Sequence, residues 1–364
     1  MKILEIIPQL SSGGAERFSV DLCNELVRTN EVILVVLWPL EKNGFYLKDI
    51  SPHVKVISLN KKAGFDLRIW YRLYTLISSV SPDIVHTHLR SISYCILNIL
   101  LNRNISYFHT IHNVANKEAG GHFTSWLRKL LFRHNFVTPI TISPASHKSF
   151  IEYYGIEAPM IFNGRNIPDR ITVSQAVEEE FKIYRKNVNM RVLICLARFA
   201  PQKRLPMLAR IAKRLENEGY DFSMIFIGNK SDRNILHEIE SCDCDNIYIL
   251  GERTNPLEYL KMADAYCLCS EHEGMPISFI EAIGVGTIPI CTPVGGLVNV
   301  IDSGNNGFLA DDLSETSYYM LLKQFLELPE EKIFMLKNNA KQSYMPFSMT
   351  DCASKYYKLF ESHN

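Results

Sequence analysis

Short apolar runs alternate along this chain with longer segments in which apolar residues recur every three or four positions. Runs of four to six apolar residues favour buried strands, and the intervening periodicity favours amphipathic helices. Strands that alternate with helices are typical of parallel sheets with crossover helices. The predicted strands are Ile3 to Ile7, Val32 to Leu37, Val54 to Ser58, Ile84 to Thr87, Ile105 to His109, Pro139 to Ile142, Arg191 to Leu196, Phe222 to Ile227, Asn246 to Leu250, Ala265 to Cys269 and Ile288 to Cys291.

The alternation breaks around Arg165 to Val177, where Pro168, polar residues and a following run of three glutamates replace it. The chain has 364 residues, which exceeds the usual size of a single hydrophobic core, and its 47% hydrophobic content is enough to fill two. We therefore predict two doubly wound α/β domains, at residues 1–168 and 169–346.

Composition narrows the class of protein. Lys plus Arg equals Asp plus Glu at 39 each, which argues against a general nucleic-acid binder. The N-terminal apolar run is cut by Glu5 and Pro8, and no uninterrupted apolar stretch approaches 18 residues, so we expect neither an export signal nor a membrane span. The nine cysteines are scattered through both halves, which favours a reducing compartment, and they do not form a convincing metal site. We expect a cytoplasmic protein.

Two glutamates eight residues apart flank a helix start. Proline is favoured at the first helical position, so a helix is predicted to begin near Pro276. The amides of Ile277 and Ser278 would then lack helical partners and favour an anion such as phosphate. Glu273 precedes this helix in a loop, where it can accept hydrogen bonds from sugar hydroxyls, and Glu281 lies about a turn and a half into the helix. Acidic residues near a helix start also commonly serve only to complement its dipole.

Two further segments follow predicted strands. Arg198 and Lys203 combine a planar guanidinium with a point-charge ammonium, a suitable clamp for a diphosphate, although exposed basic pairs are often plain surface. Gly13 and Gly14 permit positive φ and close backbone approach to a ligand, although on its own such a pair is more often a plain turn.

These segments belong to a longer ordered set. Together with Glu273 and Glu281, the set resembles the landmarks of glycosyltransferase family 4, also called glycosyl transferases group 1, which are retaining enzymes of the GT-B architecture. The resemblance implies two Rossmann-like domains facing across a cleft, an N-terminal acceptor domain and a C-terminal donor domain. It also implies that a final helix, about 347–364, crosses back onto the N-terminal domain. The other landmarks, which span essentially the whole chain, are Gly13 to Arg17, Pro82 to His88, His109 to Asn113, Ile161 to Gly164, Ala197 to Lys203 and Pro293 to Gly296.

The resemblance also implies roles for individual residues. Arg198 and Lys203 would neutralise the departing nucleoside diphosphate, Glu273 would orient sugar hydroxyls, and Glu281 would hold the ribose. His112 would approach the donor sugar from the N-terminal domain. The remaining candidates are the donor-site residues Gly274, Met275, Pro276 and Ile277, and on the N-terminal side Gly14, with Glu16 and Arg17 as weaker contacts.

We expect no required metal or other cofactor. Two protein cations and a helix terminus can neutralise the charge that a divalent ion neutralises elsewhere. His86 and His88 alternate at a strand end, but the sequence places no carboxylate or third ligand beside them, so metal binding by this pair is not expected. We favour His112 over His109 as the functional histidine, because His109 lies within a predicted strand and is expected to pack there.

The family's chemistry implies transfer of a hexosyl or N-acetylhexosaminyl group with retention, and front-face attack assisted by the leaving phosphate is favoured over a nucleophilic Glu273. The expected donor is a UDP-sugar, with GDP second. The expected acceptor is a growing lipid-linked glycan of a lipopolysaccharide or capsule. The alternatives are a sugar-nucleotide epimerase of GT-B architecture, which would form product without an acceptor, and a non-catalytic nucleotide-sugar binding or scaffold protein.

The segment Gly121 to His134 mixes basic, aromatic and leucine residues on a predicted helix, among them Trp126, Arg128, Lys129 and Arg133. Such a helix can lie on an anionic membrane surface or can pack as an ordinary domain helix, and the pattern alone fits both. Because members of the family commonly act on lipid-linked acceptors, we expect peripheral association with the inner face of the membrane.

Overall fold

The computed structural model describes residues 1–64, 66–118 and 120–363, without the side chains of Lys42, Asn43 and Phe123. The chain divides into two compact units. The N-terminal unit comprises Met1–Asn166 and Phe347–Asn364, and the C-terminal unit comprises Ile167–Pro346. The first unit thus ends at Asn166 rather than at residue 168.

The N-terminal unit contains β1 Lys2–Ile7, β2 Glu31–Val36, β3 Lys55–Ser58, β4 Ile84–His88, β5 Ser106–Ile111 and β6 Thr138–Thr141. Among the described residues these strands form one parallel sheet in the spatial order β3-β2-β1-β4-β5-β6. The order reverses between β1 and β4, so the loops that follow these two strands diverge at the edge where doubly wound sheets bind ligands.

Helices cover both faces of this sheet, which explains why its central strands are apolar along nearly their whole length. Within β1, Ile3, Leu4, Ile6 and Ile7 are all fully buried. The helices of this unit before the crossover are α1 Gly14–Leu26, α2 Leu40–Asn43, α3 Arg68–Val80, α4 Ile92–Leu101, α5 Ala115–Glu118, α6 His122–Arg133 and α7 Pro144–Tyr154.

The C-terminal unit repeats the same topology with β7 Arg191–Leu196, β8 Phe222–Ile227, β9 Ile247–Gly251, β10 Ala265–Leu268, β11 Ile288–Cys291 and β12 Phe308–Leu309. Within the described ranges these strands form a parallel sheet ordered β12-β11-β10-β7-β8-β9, which reverses between β7 and β10. The prediction of two doubly wound Rossmann-like domains is therefore confirmed. The two-residue strand β12 was not predicted.

The helices of the C-terminal unit are α8 Gln175–Tyr184, α9 Leu205–Asn217, α10 Arg233–Glu240, α11 Pro256–Met262, α12 Ile277–Val285, α13 Glu315–Leu326 and α14 Glu330–Gln342. Helix α12 is nearly all buried, and Gly286, the residue after it, has φ 82° and forms a left-handed cap.

The final helix, α15 Met349–Glu361, belongs to the N-terminal unit, where Tyr356 and Phe360 on its apolar stripe are fully buried. Gly164 lies against it so closely that a Cβ there would be 2.6 Å from the Cβ of Cys352. The segment predicted to cross back ends at Asn364, which lies outside the described residues. Across those residues, none of the helices combines the length and apolar character needed to cross a bilayer.

Candidate active site

The helix predicted near Pro276 is α12, which begins at Ile277 with Pro276 as the residue before it. Pro276 has φ −65° and ψ 130°, an extended conformation, so the helix starts one residue later than predicted. Among the described residues no side chain caps this end. The amides of its first turn therefore form a positive terminus suited to an anion. Ser278 on this turn shares a 2.7 Å hydrogen bond with the Tyr266 hydroxyl of β10, which ties the helix to the sheet.

The loop before α12 is shaped by the glycine pair that follows β11. The Gly296 amide donates a 2.7 Å hydrogen bond to the Gly274 carbonyl. Gly295 has φ 58°, and a Cβ on it would lie 2.3 Å from the Glu273 carbonyl oxygen. Only glycine fits this position, because both the backbone angle and the space exclude a side chain.

The sheet reversal brings the basic candidates to this loop. Arg198 and Lys203 follow β7, Glu273 follows β10, and β7 and β10 are paired neighbours in the sheet. Residues 70 positions apart in the chain therefore meet at the carboxyl ends of two adjacent parallel strands. This is the edge where open α/β sheets bind their ligands.

Lys203 and Glu273 form an ion pair, and their side chains are only 16% and 8% exposed. Two hydrogen bonds between residues next to Lys203 and Glu273 hold their two loops together. The Glu271 amide donates to the Gln202 carbonyl over 2.9 Å, and the Gln202 side chain donates to the His272 carbonyl over 2.5 Å. Lys203 and Glu273 were predicted as separate functional groups, whereas in the structure they form one ion pair.

Arg198 is positioned by a close backbone approach. Gly228 follows β8 with φ 153°, and a Cβ on it would lie 2.0 Å from the Ala197 carbonyl oxygen. The backbone beside Arg198 is therefore packed tightly, while the Arg198 side chain is exposed. Arg198 is thus accessible to a ligand.

The predicted donor residues lie in one continuous loop and helix segment, from Gly274 to Glu281. Met275 and Ile277 are only 3% and 5% exposed, so their side chains pack inside the unit. Glu281 is 5% exposed, four residues after Ile277. Amides, two cations and two carboxylates are thereby concentrated at one edge of the C-terminal sheet, a combination suited to a phosphorylated sugar.

In the N-terminal unit, the glycine loop after β1 differs from the prediction. Gly13 has φ −96° and Gly14 is the first residue of α1, so the expectation that these glycines supply positive φ is wrong. Gly13 instead leaves room for Glu16, since a Cβ there would lie 2.1 Å from the Glu16 carboxylate. That carboxylate accepts a 2.9 Å hydrogen bond from the Ser11 hydroxyl, and Gly14 itself is exposed.

Arg17 on α1 is engaged by carboxylates of its own unit. It forms ion pairs with Asp21 and Asp49, and its side chain is 11% exposed. Asp21 also pairs with Arg165 over 2.8 Å. These contacts give Arg17 a structural role and leave little of it for an acceptor.

His112 follows β5 directly and is partly buried. Its Nε2 lies 2.9 Å from Nδ1 of His88. Burial, followed by the neighbouring His88 and His86, holds the pKa of His112 well below its usual range, so the ring is neutral. His109 is fully buried within β5, with Nδ1 3.0 Å from the Thr87 carbonyl, and packs as predicted.

The expectation that His86 and His88 lack a nearby carboxylate is wrong, because Glu5 of β1 lies between them. Glu5 is the register partner of His86, and its carboxylate is 2.8 Å from Nε2 of His88. Burial raises the pKa of Glu5, but His86 and His88 outweigh it and lower the value to about 2. This role of Glu5 was not predicted, although a charged residue inside an otherwise apolar strand was a visible signal.

The loop that carries His112 is held by Glu118, whose carboxylate accepts a 2.9 Å hydrogen bond from the Asn113 amide. Burial raises the pKa of Glu118 to about 7, against the opposing effects of Arg128 and of the loop amides. Its side chain is 8% exposed. The loop therefore rests on a carboxyl group that ionises near neutral pH.

We expect Glu118→Gln to stabilise the protein at alkaline pH. A carboxyl group with a raised folded-state pKa contributes stability fully below its unfolded value, 4.5, and loses it as pH rises through about 7. Glutamine stays neutral, so its advantage should grow across this window to about 3 kcal/mol at pH 8. Denaturant unfolding of both proteins at pH 4.5 and 8 measures the difference, with the exposed Glu157→Gln as control. A difference that does not change with pH would contradict this reading of Glu118.

Helix α6 carries the predicted membrane-facing residues. Trp126 is 58% exposed, and Lys129 and Arg133 are also accessible. Arg128 is 3% exposed, and its guanidinium donates to the carbonyls of Glu118 and Leu89 over 3.2 and 3.0 Å. The structure therefore corrects the prediction for Arg128, because its charge faces the interior of the unit and serves loop carbonyls.

Two family models match the chain in succession. Residues 12–167 match the model described as Glycosyltransferase Family 4, and residues 176–343 match the one described as Glycosyl transferases group 1. The matched ranges do not overlap, and together they extend over both units.

Individual proteins show the same similarity. The O-antigen biosynthesis glycosyltransferase WbnH of Escherichia coli is 24% identical, over 88% of this chain and 89% of its own. The GalNAc-alpha-(1->4)-GalNAc-alpha-(1->3)-diNAcBac-PP-undecaprenol alpha-1,4-N-acetyl-D-galactosaminyltransferase of Campylobacter jejuni is 24% identical, over 99% and 98%. The crystal structure of Anabaena HepE in complex with UDP-glucose has a TM-score of 0.83 at 16% identity and covers 100% of both chains, which shows a shared GT-B fold. By its two matched models and its ordered motifs, this chain belongs to glycosyltransferase family 4, the glycosyl transferases group 1, and is a glycosyltransferase.

Proposed function

We propose that this enzyme transfers a hexosyl or N-acetylhexosaminyl group from a UDP-sugar to a growing lipid-linked cell-surface glycan, with retention and without a metal ion. The observation that carries the proposal is the Lys203–Glu273 ion pair, which joins the segments after β7 and β10 just before the N-terminus of α12, with the exposed Arg198 on the same segment as Lys203. Cations and helix amides bind a diphosphate, and carboxylates bind sugar hydroxyls. UDP is supported by HepE, which has the same fold and was crystallised with UDP-glucose.

Different residues contact different parts of the nucleotide-sugar donor. Arg198 and Lys203 neutralise the charge that develops on the departing diphosphate, together with the amides at the start of α12. Glu273 orients hydroxyls of the sugar, and Glu281 holds the ribose. His112 contacts the donor sugar, and Gly14 approaches the phosphates, as the family resemblance implies. With these groups supplying positive charge, no divalent ion is needed for the leaving group.

Retention requires that the new bond forms on the face from which the old one breaks. The acceptor hydroxyl oxygen bonds to the anomeric carbon while the bond from that carbon to the phosphate oxygen breaks, and the hydroxyl proton passes to the departing phosphate. Glu273 is unsuited to act as a nucleophile because its carboxylate is already paired with the Lys203 ammonium. Pairing stabilises the carboxylate charge that a nucleophile would have to share.

A lipid-linked glycan acceptor is supported by the relatives. WbnH is named for O-antigen biosynthesis, and the Campylobacter jejuni protein is named for an undecaprenol diphosphate-linked glycan. We place the enzyme on the cytoplasmic side of the membrane, with the face of α6 that carries Trp126, Lys129 and Arg133 as the peripheral contact. Basic and aromatic residues on one helix face are suited to an anionic lipid surface.

Donor binding tests the proposal directly. We expect purified protein to bind one of a panel of UDP-, GDP- and ADP-sugars selectively without added metal, with UDP preferred. Glu281→Ala should weaken that binding by about tenfold to a hundredfold, because it removes a charged hydrogen-bond acceptor. Calorimetric titration measures the affinity, and Glu240→Ala, on the exposed side of α10, is the control. Absence of binding to every donor would reject the proposed donor class and favour a scaffold role.

Membrane association is tested with vesicles. We expect the protein to float with anionic but not with neutral vesicles, and Lys129→Glu combined with Arg133→Glu to abolish flotation, because the reversed charges are repelled. Lys148→Glu is the control, since Lys148 is 80% exposed elsewhere on the same unit. If the wild-type protein never floats, and the double variant keeps full activity on a lipid acceptor, the membrane contact proposed for α6 is wrong.

A further inference from the structure

A chain of buried polar side chains begins at Glu5 and ends at His112. Glu5, His86 and His88 are fully buried on the adjacent strands β1 and β4. The Glu5 carboxylate lies 2.9 Å from Nδ1 of His86 and 2.8 Å from Nε2 of His88. Nδ1 of His88 in turn lies 2.9 Å from Nε2 of His112. A buried charge is retained at a cost, so this one is expected to serve a purpose.

Only one distribution of protons fits the hydrogen bonds between Glu5, His88 and His112. An ionised carboxylate only accepts hydrogen bonds, so Nε2 of His88 must carry a proton and donate a hydrogen bond to Glu5. Burial and His86 lower the pKa of His88 to about 4, so the ring is neutral and its Nδ1 has no proton. That nitrogen must accept, and Nε2 of His112 must donate to it. His112 is also neutral, so its own Nδ1 is left as an acceptor.

The other end of this series of hydrogen bonds, at His86, is held by separate partners. Nε2 of His86 lies 2.8 Å from the Thr110 hydroxyl, which lies 2.9 Å from the Tyr356 hydroxyl of α15. Each of the two hydroxyls can donate or accept, so together they can complete the hydrogen bonding of His86 Nε2. The arrangement of His88 and His112 therefore depends directly on Glu5, and on His86 only because His86 helps to keep Glu5 ionised.

We propose that Glu5 and His88 are positioning residues that hold His112 as the tautomer protonated on Nε2, so that its Nδ1 accepts a hydrogen bond from a hydroxyl of the donor sugar. The contact with the sugar rests on the proposed function, whereas the tautomer follows from the geometry of the N-terminal unit alone. A ring fixed in this state discriminates for a hydroxyl and against a group that can only accept. The specificity of the site for its sugar then depends partly on a carboxylate buried in the first strand.

A metal ion is the alternative occupant, because Glu5, His86 and His88 offer ligand atoms within 4.8 Å of one another. An ion would take the lone pairs of the two ring nitrogens that face Glu5, move the His88 proton to Nδ1 and reverse the tautomer of His112. Ligands of a tetrahedral ion would lie about 3.4 Å apart, given metal–ligand distances near 2.1 Å. The carboxylate–imidazole distances of 2.8 and 2.9 Å are those of hydrogen bonds instead.

The test is nitrogen NMR of the full-length protein labelled with ¹⁵N-histidine, in which long-range couplings identify the protonated nitrogen of each ring. His112→Gln assigns the His112 signals. We expect wild-type His112 to be protonated on Nε2 and bare on Nδ1. Protonation on Nδ1 overturns the proposal without any further variant. A stoichiometric metal in the purified protein, with His88 protonated on Nδ1, overturns it in favour of a metal site.

Three variants test the coupling to turnover. His88→Phe removes both ring nitrogens and should release His112 into a mixture of tautomers, with kcat lowered about tenfold and the donor KM little changed. His88→Gln should keep the single tautomer of His112 and the wild-type kcat, because the glutamine amide can donate a hydrogen bond to Glu5 and accept one from His112. His109→Phe is the matched control: His109 is equally buried, but its Nδ1 faces Thr87 and not Glu5, so the substitution should leave the tautomer of His112 intact.

Equal losses of kcat in the phenylalanine and glutamine variants at position 88 would overturn the positioning role. These signals come from the N-terminal unit without substrate, so a failure of nucleotide-sugar binding in the donor titration is read separately. If His88→Phe does not fold, the wild-type tautomer and His88→Gln still decide the proposal.

Discussion

Replacing Lys203 by alanine is expected to lower kcat about 10²–10³-fold, the usual cost of removing one preorganised charge from a transition state. Two effects of Lys203 are combined here. Under the proposed function its ammonium neutralises the leaving diphosphate, and in the structure it holds the Glu273 carboxylate in an ion pair that is largely shielded from water. Removing it leaves Glu273 with an unpaired charge, so sugar orientation and leaving-group stabilisation fail together.

Steady-state kinetics with the preferred donor measures this effect, and donor affinity is measured in parallel. The affinity should fall less than kcat, because the charge on the diphosphate is largest in the transition state. Arg210→Ala is the matched control: it removes an ion pair, with Glu315, from an exposed part of the same unit, and kcat should stay within about twofold. A large rise in donor Kd with unchanged kcat would instead assign Lys203 to ground-state binding.

Replacing Gly295 by alanine is expected to destabilise the C-terminal unit by about 4 kcal/mol and to abolish donor binding. Gly295 has φ 58°, a region that costs an alanine roughly 1–2 kcal/mol. A Cβ would also lie 2.3 Å from the Glu273 carbonyl oxygen and 2.8 Å from that of Gly274. Backbone atoms cannot rotate away as a flexible side chain does, so the loop that carries Glu273 must move.

Gly304→Ala separates the cost of the left-handed backbone from the cost of the steric clash. Gly304 lies in the same unit with φ 82°, but no atom lies within 4 Å of a Cβ placed there. It should therefore lose only about 1–2 kcal/mol from the left-handed backbone and keep normal donor binding. Denaturant unfolding and donor titration of both variants give the comparison. Equal losses of stability, or intact donor binding in Gly295→Ala, would show that the loop tolerates the displacement.

The strands illustrate how far local patterns reach. Arg191–Leu196, Phe222–Ile227 and Ile288–Cys291 occur with the predicted bounds, because a parallel strand covered by helices on both faces is a nearly continuous apolar run. The two-residue strand Phe308–Leu309 was missed, since so short a segment carries no periodicity. The start of α12 was predicted within one residue, because proline restricts the backbone locally.

The surroundings of charged side chains were harder to predict. Arg128 resembles its basic neighbours on α6 in sequence but is buried, because its position on the helix faces loop carbonyls that need a donor. Glu5 resembled a mere interruption of an apolar strand until β4 placed two histidines beside it. In both cases the partner comes from another element, at a sequence distance that no local pattern encodes.

The sequence by itself determined the two α/β units, most strand bounds, the helix start at the donor loop and the residue types needed for a phosphorylated sugar. These depend on short-range preferences: apolar periodicity, proline geometry and the chemistry of side chains. Only the tertiary structure decided which charges meet, because the reversal of strand order in each sheet joins loops from distant parts of the chain. The pairing of Lys203 with Glu273 and the link from Glu5 through His88 to His112 follow from those reversals.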